Sequence, residues 1–225
     1  MKAMILAAGR GERMRPLTDH TPKPLLKAGG KPLIVHTIEQ LVSAGITGLV
    51  INHAHLGAQI EDALGNGSAW GANIQYSPEA EALETAGGII HALSLLGDQP
   101  FLTVNGDIAT DFAFAGLSQI PLKLAHLVLV NNPEHNPGGD FVLNETGLIK
   151  AGGGVKLTFS GIGLYRPEFF LGQTPGKRKL LPLMLAAMAE NQVTGELYNG
   201  FWLDVGTPER LQQLDAHYAT APISG

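Results

Sequence analysis

The chain has 225 residues, of which 44 % are hydrophobic and 16 % charged, and it carries a formal net charge of −5 with no cysteine. That length and apolar share support a folded core rather than a disordered chain. The mild negative charge, with no long basic run, argues against nucleic acid as a partner, and the missing thiols exclude disulfides and thiolate metal sites.

Residues 2–8 are an apolar run that reads as a buried strand. It is too short for a signal peptide or a membrane helix, so a cytoplasmic protein with no membrane partner is expected. The spacing predicts a helix over 32–44 that stops at Gly45, a strand over 46–51, a helix over 56–64 and a strand over 72–76. A helix over 85–96 and a strand over 100–104 follow. Strands alternating with helices imply βαβ units and a mainly parallel sheet. The second half is less regular. It predicts a strand over 126–130, a loop rich in Pro, Asn and Gly over 131–139, and a hairpin from 141–143 and 148–150 around Asn144-Glu145-Thr146-Gly147. A strand over 158–165, an amphipathic helix over 179–191, a strand over 202–205 and a helix over 208–218 close the chain. No internal repeat or long linker divides it, so one α/β domain over 1–225 is expected.

Three segments carry chemistry. The first strand runs into Gly9-Arg10-Gly11-Glu12-Arg13-Met14-Arg15-Pro16-Leu17-Thr18, followed by Lys23-Pro24. Glycines let backbone N–H groups approach an anion, arginine offers forked donors, and lysine a point charge. This suits a polyphosphate. It is neither a Walker A loop nor a Rossmann fingerprint, since Met14 stands where the third glycine would be. The second segment, Asn105-Gly106-Asp107, ends an apolar strand, where ligands of open parallel sheets bind. The third, Trp202-Leu203-Asp204-Val205-Gly206-Thr207-Pro208, ends another strand with an aspartate before a helix that Thr207 and Pro208 start. Asp107 read alone is as well explained as a cap. With Asp204 it supplies a pair of carboxylates able to meet at one magnesium ion.

The three segments in this order, with Leu83-Glu84-Thr85-Ala86-Gly87-Gly88 between the first two, resemble the sugar-1-phosphate nucleotidyltransferases. The resemblance spans residues 5 to 209. It implies a Rossmann-like three-layer α/β/α fold with a mixed sheet, binding the nucleotide in the half over about 1–110 and the sugar in the half over 111–225. It also implies that Ala8, Gly9, Gly11, Glu12 and Arg13 surround the triphosphate, that Lys23 and Arg13 are catalytic, and that Asp107 and Asp204 hold magnesium. Glu79, Glu84 and Thr85 fall where the family reads its base, and Asn105, Gly139 and Asp140 where it contacts the sugar. Glu12 departs from the family's Thr or Ser and is expected to turn away, toward Arg10 or Arg15. The loop at 83–88 and the compact length further imply UTP as donor and N-acetylmuramic acid α-1-phosphate as acceptor. A guanylyltransferase acting on mannose 1-phosphate carries much the same motifs.

The remaining conspicuous residues have structural readings. His53 and His55 read as loop histidines, His36 as a helix residue, and Lys177-Arg178-Lys179 as a solvated loop within reach of an anionic sugar substituent. Ser43 and Ser160 lack an activating base. A non-catalytic nucleotide-sugar regulator would have no chemical need for both aspartates, and a glycosyltransferase would be expected to show a D-x-D pair. A monomer is expected.

Overall fold

The computed structural model describes residues 1–220; residues 221–225, the end of the expected domain, lie outside the described residues. The first apolar run becomes β1 (Lys2–Leu6), with Ala3, Met4 and Ile5 fully buried. A long loop leads to the hairpin of β2 (Lys27–Ala28) and β3 (Lys31–Pro32). Helix α1 (Leu33–Ser43) ends in a Schellman turn: Ile46 N–H donates to Leu41 O at 2.9 Å and Gly45 N–H to Val42 O at 2.9 Å, with Gly45 at φ 80°. The alternation then continues through β4 (Gly48–His53), α2 (Gly57–Leu64), β5 (Asn73–Pro78), α3 (Glu84–Leu96) and β6 (Phe101–Asn105). Each lies within a few residues of its expected position.

The second half holds β7 (Ile108–Thr110), β8 (Ala125–Val130), the hairpin of β9 (Val142–Leu143) and β10 (Ile149–Lys150), and β11 (Thr158–Tyr165). Helix α4 (Leu181–Ala189), β12 (Val193–Tyr198), β13 (Trp202–Asp204) and α5 (Pro208–Thr220) follow. Strand β12 has no counterpart in the sequence reading, and β7 pairs antiparallel with β13.

Seven strands form one sheet in the order β12-β8-β11-β6-β1-β4-β5. All neighbours run parallel except at β11, which is antiparallel to both β6 and β8. Helices cover both faces. Ile34, Ile38 and Leu41 of α1 and Ile60 of α2 pack with Ala3 and Ile5 on one face. Ile89 and Leu96 of α3 and Met184 of α4 pack with Met4 and Val50 on the other. The expected three-layer α/β/α arrangement with a mixed sheet is the observed one.

The chain winds outward from β1 through β4 to β5, then returns to place β6 on the other side of β1. The loops leaving β1 and β6 therefore diverge and open a crevice at the carboxyl ends of both strands, the usual ligand position in such sheets. Leu6 lies opposite Asn105, and Gly106 N–H donates to Leu6 O at 2.9 Å. A Cβ at Gly106 would stand 2.8 Å from that oxygen, so glycine is what lets the β6 turn close on β1. Among the described residues no helix is long and apolar enough to cross a membrane.

Candidate active site

Three cavities meet at Asn105 in this crevice. One, of about 330 Å³, is lined by Ala8, Gly9, Lys23, Glu84, Thr85 and Asp107, among others. A second, of about 510 Å³, shares Glu84, Thr85 and Asn105 with it and continues past Gly139 and Asp140. A third, of about 360 Å³, brings Arg13, Asp107, Asp140 and Asp204 to one wall. Segments far apart in sequence thus converge as the motifs require.

The loop after β1 is shaped from within. Gly11 adopts φ 65°, its carbonyl accepts from Met14 N–H and Thr18 Oγ1 (both 2.8 Å), and a Cβ there would crowd Thr18 and Lys23. Gly9 has nothing within 4 Å of the place its Cβ would take, so its backbone is open to a ligand. Glu12 is exposed and, among the described residues, forms an ion pair with neither Arg10 nor Arg15; Arg15 Nε lies instead 3.2 Å from Asp19 Oδ1. Lys23 is 8 % exposed, and its Nζ lies 2.5 Å from Asp107 Oδ2.

Asp107 and Asp204 are joined through the backbone. Val205 N–H donates to Asp107 O at 2.8 Å, and Asp204 sits opposite Ile108 in the β7–β13 pair. Asp204 Oδ2 faces Arg210 Nη1 at 3.1 Å and His135 Nε2 at 3.3 Å. Its Oδ1 is buried with no hydrogen-bond partner. A buried carboxylate oxygen without a donor is costly unless a cation meets it, so Asp204 with Asp107 could hold a divalent ion. A Cβ at Gly206 would lie 2.5 Å from Arg210 Nη2, 3.0 Å from Asp204 Oδ1 and 3.1 Å from Arg13 Nη2. Glycine there lets three charged groups close over the turn. Among the described residues no cluster of three or more His, Asp or Glu side chains forms a cage.

The wall at α3 is set by a buried network. Asn52 Oδ1 accepts from Ala7 N–H at 3.0 Å, Asn52 Nδ2 donates to Glu79 Oε1 at 2.7 Å, and Glu79 Oε2 accepts from Leu83 N–H at 2.8 Å. Glu79 is 6 % exposed and both its oxygens are engaged, so it shapes the wall rather than facing the cavity. Glu84 is exposed at φ 63°, outside the ordinary range for a side-chain-bearing residue. Across the crevice, Asp140 accepts from Phe159 N–H at 2.8 Å and Asn136 Nδ2 at 3.2 Å. Gly139, at φ 60°, packs on Lys156.

A model of the nucleotidyl transferase family matches residues 2–136. The chain belongs to that family. The N-acetylmuramate α-1-phosphate uridylyltransferase of Neisseria meningitidis serogroup B is 58 % identical, covering 96 % of this chain and 97 % of that one. A mannose-1-phosphate guanyltransferase of Hypocrea jecorina is 32 % identical over 93 % of this chain and 62 % of its own. A crystal structure from Bacillus anthracis, titled as a glucose-1-phosphate thymidylyltransferase in complex with sucrose, matches the fold with a TM-score of 0.86 at 22 % identity, covering 100 % of this chain and 98 % of that one.

In this nucleotidyltransferase the sequence reading missed Asn52, His135 and Arg210. Asn52 and His135 lie outside the motif segments with partners remote in sequence, and Arg210 lies just past the third segment, six residues from Asp204. The reading of His53 as a loop histidine is corrected: it ends β4, is 5 % exposed, and its Nε2 lies 2.7 Å from Glu61 Oε1, with Gly57 making room for the ring. His55 does lie in a loop.

Proposed function

We propose that this chain transfers a uridylyl group from UTP to N-acetylmuramic acid α-1-phosphate, giving UDP-N-acetylmuramic acid and pyrophosphate, as a cytoplasmic monomer in the recycling of bacterial peptidoglycan. The observation that carries the choice of substrates is the likeness to the Neisseria meningitidis enzyme over nearly the whole of both chains. The 1–110 half takes the nucleotide and the 111–225 half takes the sugar, within one domain.

The acceptor phosphate is the nucleophile. A phosphate monoester, with a second pKa near 6, is largely dianionic at neutral pH, so no strong general base is required. The barrier lies in bringing two anions together, and catalysis is positioning with charge neutralisation. Backbone N–H groups along Ala8, Gly9 and Gly11 receive the triphosphate, with the Glu12 side chain turned to solvent. Arg13 offers its fork at the wall it shares with Asp107 and Asp204. Lys23 presents its ammonium at the α-phosphate as charge moves to the leaving oxygen. A divalent ion such as magnesium, bound by Asp107 and Asp204, supplies further neutralisation of the phosphates. Glu84 and Thr85 take the base against α3, with Glu79 fixing that wall from behind. Asn105, Gly139 and Asp140 orient the sugar.

The test is pyrophosphate release from each of the four common ribonucleoside triphosphates paired with several sugar 1-phosphates, with magnesium present. Release is expected to be fastest for UTP with N-acetylmuramic acid α-1-phosphate. A preference for GTP with mannose 1-phosphate would replace this reading with the guanylyltransferase one. Release from no pair would overturn it.

A further inference from the structure

N-acetylmuramic acid differs from N-acetylglucosamine by an ether at O3 that bears a methyl group and ends in a carboxylate. Selecting one over the other requires cations, and an apolar contact, beyond the groups that hold the common sugar ring. The second cavity offers both. Lys156 and Lys179 both line it, and Phe141, Phe159, Leu180 and Met184 add apolar surface.

Lys2, Lys23, Lys31, Lys123 and Lys150 each have a hydrogen-bond partner. Lys27 and Lys177, like the two lysines here, have none among the described residues, but neither of them lines this cavity. Among the described residues Lys156 and Lys179 have neither a hydrogen bond nor an ion pair through the ammonium group. Their backbones are nonetheless fixed. Lys156 O accepts from Asn132 Nδ2 at 3.0 Å, and Gly139 packs against its carbonyl carbon. Next to Lys179, Arg178 N–H donates to Leu83 O at 2.9 Å and Arg178 O accepts from Gly87 N–H at 3.1 Å. A Cβ at Gly87 would lie 2.4 Å from Gly176 O, so that glycine is what lets the lysine-bearing segment dock on α3.

Two carboxylates line the same cavity. Asp140 is already met by Phe159 N–H and Asn136, and Glu84 is exposed where the first two cavities join. Neither pairs with Lys156 or Lys179, so both ammonium groups remain for an incoming anion.

We propose that Lys156 and Lys179 form a carboxylate subsite that makes the enzyme select a sugar 1-phosphate carrying a carboxylate-terminated O3 ether over its neutral counterpart. This rests on the uridylyltransferase reading. The subsite holds a part of the acceptor remote from the reacting phosphate, so its loss falls on KM rather than kcat.

The experiment measures pyrophosphate release from UTP with three acceptors: N-acetylmuramic acid α-1-phosphate, its lactyl methyl ester, and N-acetylglucosamine α-1-phosphate. The wild type is expected to prefer the free acid over the ester by about ten- to a hundredfold in kcat/KM, the scale of one or two charge-assisted hydrogen bonds. Lys156→Met with Lys179→Met should collapse that ratio toward one through KM, and the paired Lys→Arg substitutions should restore most of it. Lys179 is exposed, so Lys179→Met alone keeps the test available if the double variant does not fold. Equal use of acid and ester by the wild type overturns the subsite, as does an acid preference that survives in the folded variants. A wild type that releases no pyrophosphate with UTP and any acceptor fails the uridylyltransferase reading itself, and the subsite with it.

Discussion

Lys23 is a lysine held almost out of water against a carboxylate, 8 % exposed with Nζ 2.5 Å from Asp107. A buried ammonium with one acidic partner is preorganised for an anion, because it reorients little when the ligand arrives. Lys23→Ala is expected to lower kcat by roughly a hundred- to a thousandfold, about 3–4 kcal/mol of transition-state stabilisation. Pyrophosphate release at saturating UTP checks this, and turnover near the wild-type rate would remove Lys23 from its role. Gly88 makes a different point. A Cβ there would stand 2.6 Å from Glu79 Oε1 and 2.8 Å from Asn52 Nδ2. Gly88→Ala should cost about 1–3 kcal/mol of stability, the usual scale of overpacking, read as a lower denaturant midpoint. An unchanged midpoint would mean that Glu79 swings aside freely. Asp107 was legible in the sequence because it follows the end of an apolar run, and Lys23 because it stands with Pro24 just after the glycine- and arginine-bearing loop that follows β1. Asn52 was not, since its partners Ala7 and Glu79 lie 45 and 27 residues away and nothing local marks it.

At the scale of elements, α5 is clipped to the β2–β3 hairpin and α1 by two contacts. Gly29 N–H donates to Asp215 Oδ1 at 2.7 Å, and the rings of His36 and Tyr218 stack at 4.4 Å. Burial holds the His36 pKa below its ordinary value, assisted by the nearby Lys31 charge and opposed by the bond to Ala28 O and by Glu39. The folded state then binds fewer protons at this site than the unfolded chain, so stability rises with pH across the window below about 6.5. The His36 contribution is complete above that value and is lost as the pH falls toward the depressed folded pKa. Thermal midpoints measured from pH 7.5 down to pH 5 should therefore fall less steeply in His36→Gln than in the wild type, and equal slopes would assign the acid sensitivity elsewhere. The helices were legible because their apolar spacing repeats every three or four residues. The starting signal of α5 was equally plain, and Thr207 Oγ1 does accept from Arg210 N–H, at 3.4 Å. Strand β12 was hidden: Val193-Thr194-Gly195-Glu196-Leu197-Tyr198 has β8 as its one neighbour in the large sheet, with a single bridge from Thr194 to Leu148 on its other side, is fully buried only at Val193, and carries Gly195 where a Cβ would strike Ile149 and Leu127 O. An edge strand of that kind has no clean alternation to read.

For the whole molecule, the alternating first half made a parallel sheet legible, whereas the reversal at β11 was not, because direction depends on connections rather than on local pattern. That reversal matters for cooperativity. Strand β11 belongs to the proposed sugar half, yet it pairs with β6 of the nucleotide half from Ile162↔Val104 to Tyr165↔Phe101. Ile162 and Val128 lie in the same buried cluster as Ile5, Ile51 and Val104. The two tryptophans report on opposite halves and still pack against that one cluster: Trp70 in the turn before β5, and Trp202 in β13, whose Nε1 donates to Ser160 O at 2.9 Å. Separate unfolding of either half would expose a sheet edge and strip one side of a shared core, so the halves should unfold together. Fluorescence of Trp70→Phe, which leaves Trp202, and of Trp202→Phe, which leaves Trp70, should each give a denaturant midpoint that coincides with far-UV circular dichroism on the same variant. A fluorescence midpoint that separates from the dichroism midpoint in either variant would show that the nucleotide and sugar halves are independent units, and that the crevice between them is held by something other than the continuous sheet.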